Sequence, residues 1–323
     1  MSCECVFRRS GADKLTFAVR ESGVSTPIKP GAVLVDVERS VIDMGHLDRV
    51  LEEGWATPAW CSLVGRVAQV GGEVDGIRVG DRLAAIGPAA GRVVLPAQEC
   101  LPVTDEMSPD RAAYWALLAA LIRSMRQLRI EIGESALVLG GGLVGHLAAQ
   151  LALKAGAVFV VGVDSRSKSA GAGVESRQQG IAPLWVADQD SLEAELPQEG
   201  ADVLIDTMSD FSQLAAMLPL LRTGGRALSL AMSDERPVDI DLYSDVHRRS
   251  LNLMSCSLKA ALRRKPGSEM SAAGESEFIC HLLGDGWLDL PRLATMSARP
   301  APSAEQVLPA IEETGLLMRW QDS

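Results

Sequence analysis

Positive charge is scarce in this 323-residue chain, where 31 Lys and Arg stand against 42 Asp and Glu for a formal net charge of -11. No patch of basic residues with interleaved aromatics offsets that deficit, which argues against nucleic acid as a partner. Long hydrophobic runs are missing as well. Nothing reaches the roughly 18 consecutive apolar residues that a membrane span requires. The N-terminal MSCECVFRRSGADKL has no apolar core behind its charges, so no signal peptide is read there. A cytoplasmic protein with no membrane partner is the expectation. The six cysteines, Cys3, Cys5, Cys61, Cys100, Cys256 and Cys280, make neither a disulfide framework nor a paired CxxC set. Reduced thiols follow. Cys3 and Cys5 have no neighbours that would complete a metal site, and they are expected in a loose terminus.

What is present is ordinary globular composition, 47% hydrophobic and 23% charged, in a chain long enough for two domains. Its organising stretch is SALVLGGGLVGHLAAQLALKAGAVFVVGVD, residues 135–164. A short apolar run of buried-strand type leads into three glycines. Leu143, Val144, Leu147, Leu151 and Leu153 then recur at helical spacing before a second β-branched run ends on Asp164. In this strand, turn, helix, strand context the G-x-G-x-x-G set reads as a dinucleotide fingerprint. Gly140 makes the tight turn, Gly142 admits a pyrophosphate close to the backbone, and Gly145 lets the helix pack on the strand. The free amides at the helix start, around Leu143 and Val144, favour bound phosphate. Asp164 follows Gly145 by about 20 residues, the position from which an acid accepts the ribose hydroxyls and repels a 2'-phosphate. NAD(H) is therefore preferred, while Arg166 and Lys168 keep NADP(H) open.

Around that unit the chain reads as an α/β protein. β-type runs at 15–19, 32–37, 63–70, 81–86 and 92–95, broken by Gly, Pro and Asp, predict a compact, partly open β-barrel. Residues 107–130 predict one long helix, with Ser108 as its cap and Pro109 at its first position. After Asp164, strands are expected at 184–186, in ADVLIDT, in RALSLAM after a turn at Thr223, Gly224 and Gly225, and at 249–258. Alternation with helical segments such as FSQLAAMLPLLR is the signature of a doubly wound parallel sheet. Two tail helices, at 276–285 and 304–316, are expected to pack back onto the first domain. The domain division expected is 1–125 with 260–323, and 126–259.

The chain resembles the medium-chain dehydrogenase/reductase superfamily over nearly its whole length. The resemblance rests on GGEVDGIRVGDRL, VLGGGLVGHLAAQLA with Asp164, ADVLIDT, LRTGGRALSLAM and LDLPRLATMSARP, in the family's order and spacing. It implies a GroES-like barrel beside a Rossmann domain, a nicotinamide cofactor, and hydride transfer to or from an alcohol, carbonyl or activated alkene. It also implies a homodimer, often formed through the last sheet strand, here near 251–257. The departures concern metal. The ligand cysteine of the zinc enzymes falls on Gly45, their relay hydroxyl on Leu47, and their G-H-E on Trp60, Cys61 and Ser62. The third ligand region, near Ala116 and Leu117, has no donor, and the four-cysteine structural lobe is missing. A catalytic zinc needs three protein ligands, so no zinc is expected and the chain looks closest to the quinone-oxidoreductase and enoyl-reductase-like branch.

Without zinc, polarisation of a small-molecule substrate must come from hydrogen-bond donors, the cofactor ribose, or a substrate already activated by conjugation. His46, beside the lost ligand position, is the leading acid-base candidate. Asp48 matches the family's acid after the relay residue and is more often a structural hydrogen-bonder. Asp43 is a further possible base. Cys61, Trp60 and Trp115 are candidate pocket walls, though such residues more often simply fill core, and Tyr114 adds a donor hydroxyl. His146 reads as a helix-face residue, His247 as part of a solvated turn and His281 as structural. The competing reading keeps the fold but drops net redox, leaving a lyase, an epimerase with tightly held NAD, or a cofactor-sensing protein.

Overall fold

A short loop between β-branched runs gives antiparallel pairing, and a run followed by a helix gives parallel pairing. Both patterns occur here, the parallel one throughout the sheet of one unit and the antiparallel one in most of the other. The structure is a computed structural model describing residues 2–9, 15–23, 27–42, 56–58, 60–163, 182–208, 211–230, 240–263, 271–284, 286–298, 302–313 and 315–320. The chain divides into one unit of Met1–Ala120 with Leu262–Ser323 and a second of Leu121–Ala261.

In the first unit, β1 (Ser2–Arg9), β2 (Leu15–Ser22), β3 (Ala32–Ile42), β4 (Ala56–Pro58), β5 (Trp60–Val70), β6 (Arg82–Pro88), β7 (Arg92–Pro96) and β8 (Leu101–Pro102) follow in order. β2, β1 and β4 form a small antiparallel sheet. β3 is the hub of the larger one, pairing antiparallel with both β5 and β7. Its pairing with β5 shifts register twice, between Leu34 and Val35 and between Val37 and Arg39. Such bulges bend a strand and raise its twist, as a barrel wall requires. On β7 the side chains alternate, with Val93 and Leu95 in the core and Arg92, Val94 and Pro96 outside. Cys5 lies on β1 with no exposure, and its amide donates to the Ala89 carbonyl at 2.7 Å. The expected loose terminus is thus a sheet strand, because Cys5 is small and apolar enough to fill the barrel core.

The second unit is built from β9 (Ser135–Leu139), β10 (Phe159–Val163), β11 (Leu184–Val186), β12 (Ala201–Asp206), β13 (Leu221–Ser229) and β14 (Asn252–Ser255). All five pairings are parallel, in the order β11-β10-β9-β12-β13-β14. In units of that sheet this is 3-2-1-4-5-6, the doubly wound order with its switch point between β9 and β12. Every residue of central β9 is buried, as strands covered on both faces are. At the N-terminal edge of the sheet, Asp202 accepts from the Ser135 amide and hydroxyl, both at 2.8 Å, and pairs with Arg222. Glu134 pairs with Arg226. Thr223, Gly224 and Gly225 do not end a turn before β13. They form an irregularity inside it, where the register against β12 slips between Ala201 and Val203 and Gly224 takes a φ of 80°.

The tail returns to the first sheet through β15 (Ala294–Ser297) and β16 (Leu316–Arg319), the latter antiparallel to β3. The last helix therefore stops at Glu313 instead of reaching 316, because Leu316, Leu317 and Met318 are buried as strand residues. The helix before it begins earlier than expected, spanning Ala272–Gly284.

The long helix expected at 107–130 is broken. Helical turns cover Pro109–Ala112 and Trp115–Met125, with a tighter turn at Arg126–Leu128. The break has an identifiable cause. The Ser62 hydroxyl donates to the Ala113 carbonyl at 2.6 Å and accepts from the Leu117 amide at 3.2 Å. It has inserted itself between the two groups that an unbroken helix would join directly. Ser108 makes no side-chain cap; only its carbonyl is used, accepting from the Ala112 amide.

Arg82 is one of several buried charged residues in the first unit, with a side chain 3% exposed. It donates to Glu38 Oε2 through Nε at 3.0 Å and Nη2 at 2.8 Å, and through Nη1 to the Met107 carbonyl at 2.6 Å. Removing the carboxylate would strand a buried cation. Chemical denaturation of Glu38→Ala should therefore show a loss of about 3 kcal/mol. A loss below about 1 kcal/mol would mean that the carbonyls alone satisfy Arg82.

Candidate functional site

Leu139 ends β9 and the chain turns at once, because Gly140 takes a φ of 93°, where a side chain is strained. The Gly140 amide donates back to the Val163 carbonyl at 3.0 Å. Helix Leu143–Ala155 then starts from Gly142, which supplies no side-chain cap, and ends at Gly156 with a φ of 125°. Three glycines meet different surroundings. A Cβ on Gly145 would lie 1.7 Å from the Gly140 carbonyl oxygen, and one on Gly140 would lie 2.7 Å from Thr207 Oγ1. A Cβ on Gly142 would meet no protein atom within 4 Å. The first two glycines are required by the protein's own packing. The third leaves open backbone beside the unsatisfied amides of a helix start, a surface suited to an anionic group.

The wall opposite is the end of β12. Asp206, 1% exposed, accepts from the Met208 amide at 2.9 Å and from the Ser229 hydroxyl at 2.8 Å. Thr207 donates to the Leu139 carbonyl from both its amide, at 3.0 Å, and its hydroxyl, at 2.7 Å. On the other side of the helix, Trp185 covers Gly162, where a Cβ would fall 2.3 Å from the ring. The Trp185 ring also packs on His146 with centroids 4.5 Å apart, so His146 is held on the helix face. Sequence reading missed Thr207, Asp206, Ser229 and Trp185. They arrive from three strands, and the only signal was their place inside runs already recognised as strands.

Of the residues expected from sequence, Gly140, Gly142, Leu143, Val144 and Gly145 are brought together at this turn. Leu143 and Val144 bury their side chains, at 2% and 8% exposure, so they offer the turn backbone alone. His46, Asp48, Asp43, Asp164 and Arg166 lie outside the described residues, as does the side chain of Trp60. Tyr114 is buried, and its hydroxyl donates to the Pro291 carbonyl at 3.3 Å. Burial pushes the phenol well above its ordinary range, with the Asp110 carboxylate adding to the shift. Trp115 is 1% exposed, a core residue at the head of its helix. Cys61 sits in the barrel core with no exposure, and its thiol donates to the Gly87 carbonyl at 3.4 Å. In the structure these three side chains fill core instead of facing substrate. His247 is exposed on the turn Leu242–His247, stacked on Tyr243 with centroids 5.7 Å apart.

Metal chemistry was tested on the donor set. Among the described residues, no three His, Cys, Asp or Glu side chains gather where they could hold an ion. Burial pushes the Cys61 thiol up to about 12, against a small opposing effect of the Ser40 hydroxyl. With no exposure, Cys61 faces the core of its unit, and among the described residues it belongs to no group of donors that could share an ion. No helix among the described residues is long and apolar enough to cross a membrane.

The fold, one unit with a mixed β-sheet and one with a doubly wound parallel sheet, is shared with solved dehydrogenase and reductase structures. No family model matches the chain. Among curated proteins it is similar to D-guloside 3-dehydrogenase of Escherichia coli K12, 23% identical over 259 residues, or 78% of this chain and 73% of that one. It is also similar to part of the phenolphthiocerol synthesis polyketide synthase Pks15/1 of Mycobacterium marinum. That match is 29% identical over 229 residues and covers 67% of this chain but 11% of the synthase. Among solved structures, CurK enoyl reductase superposes with a TM-score of 0.71 at 18% identity, over 98% of this chain and 99% of that one. A short chain alcohol dehydrogenase, rspB, of Escherichia coli CFT073, solved with NADH, does so with a TM-score of 0.71 at 14% identity, over 99% of each chain.

The Cys61 thiol yields two linked expectations. In the native protein it should resist alkylation at pH 8 and react only on unfolding, as read by mass spectrometry of the labelled peptide. The sign for stability follows from the raised value. The folded state keeps a proton that the unfolded chain releases above its ordinary value of 9.0. This contribution is complete below pH 9 and is lost as pH climbs from about 9 toward about 12. Cys61→Ser should flatten that part of the profile.

Proposed function

We propose that this chain is an NAD(P)-dependent oxidoreductase of the medium-chain type. It moves hydride between the nicotinamide and a small organic alcohol, carbonyl or activated alkene, without a catalytic zinc and with NAD(H) preferred. One observation carries the reading. Gly140 and Gly145 are locked by contacts within the protein, whereas Gly142 borders open space at an uncapped helix start, at the switch point of a 3-2-1-4-5-6 sheet. Those backbone groups would hold a pyrophosphate, and the nicotinamide, when bound, supplies the hydride chemistry. Relatives named as dehydrogenases, together with a solved neighbour carrying NADH, support the cofactor. The name D-guloside 3-dehydrogenase points to an alcohol, and that of the enoyl reductase neighbour to a conjugated alkene.

Zinc independence rests on Gly45 standing where the zinc enzymes keep a cysteine, and on Cys61, whose side chain is buried in the core. The preference for NAD(H) rests on Asp164. Polarising the substrate then falls to hydrogen-bond donors, with His46 as the proton source. Assembly as a homodimer is supported by β14, which ends the sheet order with Asn252, Leu253 and Ser255 exposed, a strand edge and face open to a second copy.

Calorimetric titration with NADH and NADPH tests the reading directly, and failure of both to bind would remove it. Gly142→Ala should leave the melting temperature unchanged, since its Cβ meets nothing, yet weaken NADH binding at least tenfold by intruding on the ligand. His46→Ala should lower turnover by about 10² and remove a limb of the pH-rate profile. An unchanged profile in that variant would dismiss His46. Turnover with no net change in NADH absorbance would favour the redox-neutral alternative.

A further inference from the structure

Both compulsory glycines of the turn close on the same neighbour. A Cβ on Gly140 would lie 2.7 Å from Thr207 Oγ1, and one on Gly145 would lie 3.2 Å from that same atom. The hydroxyl occupies the one point where the end of β9, the end of β12 and the first turn of the helix converge. It donates to the Leu139 carbonyl at 2.7 Å and lies 3.5 Å from the Gly140 carbonyl, while the Thr207 amide also donates to Leu139 at 3.0 Å.

Peptide planarity turns these contacts into a statement about the amides. In a trans peptide the carbonyl and the following N–H point in opposite directions. The first peptide shows it: the Leu139 carbonyl faces Thr207, and the Gly140 amide faces away to the Val163 carbonyl at 3.0 Å. In the second, the Gly140 carbonyl is turned toward Thr207 and Gly145, so the Gly141 amide is directed away from the packed side of the turn.

We infer that Thr207 is a positioning residue for the cofactor pyrophosphate: its hydroxyl, bonded to the Leu139 carbonyl and set against the Gly140 carbonyl, fixes the turn so that the amide of Gly141 is held outward as a donor. The inference rests on the dinucleotide reading proposed above. Asp206 supports the clamp from behind, since the Met208 amide and the Ser229 hydroxyl fix its carboxylate and hence the path of the chain through Thr207. Thr207 need not touch the ligand. Its effect is to preorganise a donor that would otherwise be ordered only on binding.

Calorimetric titration with NADH, paired with melting curves, tests this on wild type, Thr207→Val and Thr207→Ser. Valine keeps the shape and loses the hydroxyl, so NADH affinity should fall about tenfold, the worth of roughly one hydrogen bond. Serine keeps the hydroxyl and should bind within about twofold of wild type. Thr207→Ala replaces valine should that variant not fold. Wild-type affinity in Thr207→Val, or equal weakening in Thr207→Ser, overturns the inference and leaves the cofactor reading standing. Failure of both Thr207→Val and Thr207→Ala to fold likewise overturns it, by making the hydroxyl structural. Wild type that binds neither NADH nor NADPH brings down both.

Discussion

The second unit depends on a contact with no room for a carbon atom, where the Gly140 carbonyl oxygen sits against the Cα of Gly145. That approach lets the chain leave β9 and begin a helix within three residues, so the helix starts directly over the carboxyl ends of the strands. The sheet order makes this position matter. With β9 and β12 adjacent, their following segments leave on opposite faces, and a crevice opens between them. Gly140 is the first residue past β9 and Thr207 the first past β12, so the clamp lies at that crevice.

The two edges of this sheet have been given opposite electrostatic tasks. At the N-terminal edge, Asp202 bonds Ser135 and Arg222, and Glu134 bonds Arg226. Burial raises the Asp202 carboxyl, but the bonds from Ser135 and Arg222 outweigh it and hold the group below its usual range. Its stabilising effect is therefore present at neutral pH and fades as pH falls through the depressed value. At the carboxyl edge the helix start is left uncapped. One edge satisfies its charges internally, while the other begins a helix with no side-chain cap.

How far the sequence could be read depended on whether an interaction was local. The strands β9 to β14 and the glycine turn were legible, since apolar runs and a fixed glycine spacing record contacts within a few residues. The helix break was not. Its cause is Ser62, a residue of β5 more than fifty positions before Leu117, and nothing in the helical pattern announces it. β16 was hidden for a similar reason. LLMR continues the apolar pattern of the helix before it, and only pairing with β3 makes it a strand. Tyr114, Trp115 and Cys61 were readable either as pocket wall or as core, and the structure buries all three. Thr207 escaped because a threonine at a strand end looks ordinary until the second strand is placed beside it.

Cys61 shows how a thiol can be held inside a sheet core. The thiol lies opposite Gly87 on the neighbouring strand, donates to its carbonyl, and is packed among Leu63, Ala85 and Leu95. Low polarity around a thiol stabilises the protonated form. Ionisation there would therefore cost folding energy. In water-poor surroundings a few fixed donors act strongly, because they need not reorient as charge develops. On the proposed reading, what replaces a metal is therefore preorganisation of amides and side-chain donors. The Thr207 clamp is that same principle at the cofactor end, applied to a peptide N–H instead of a catalytic side chain.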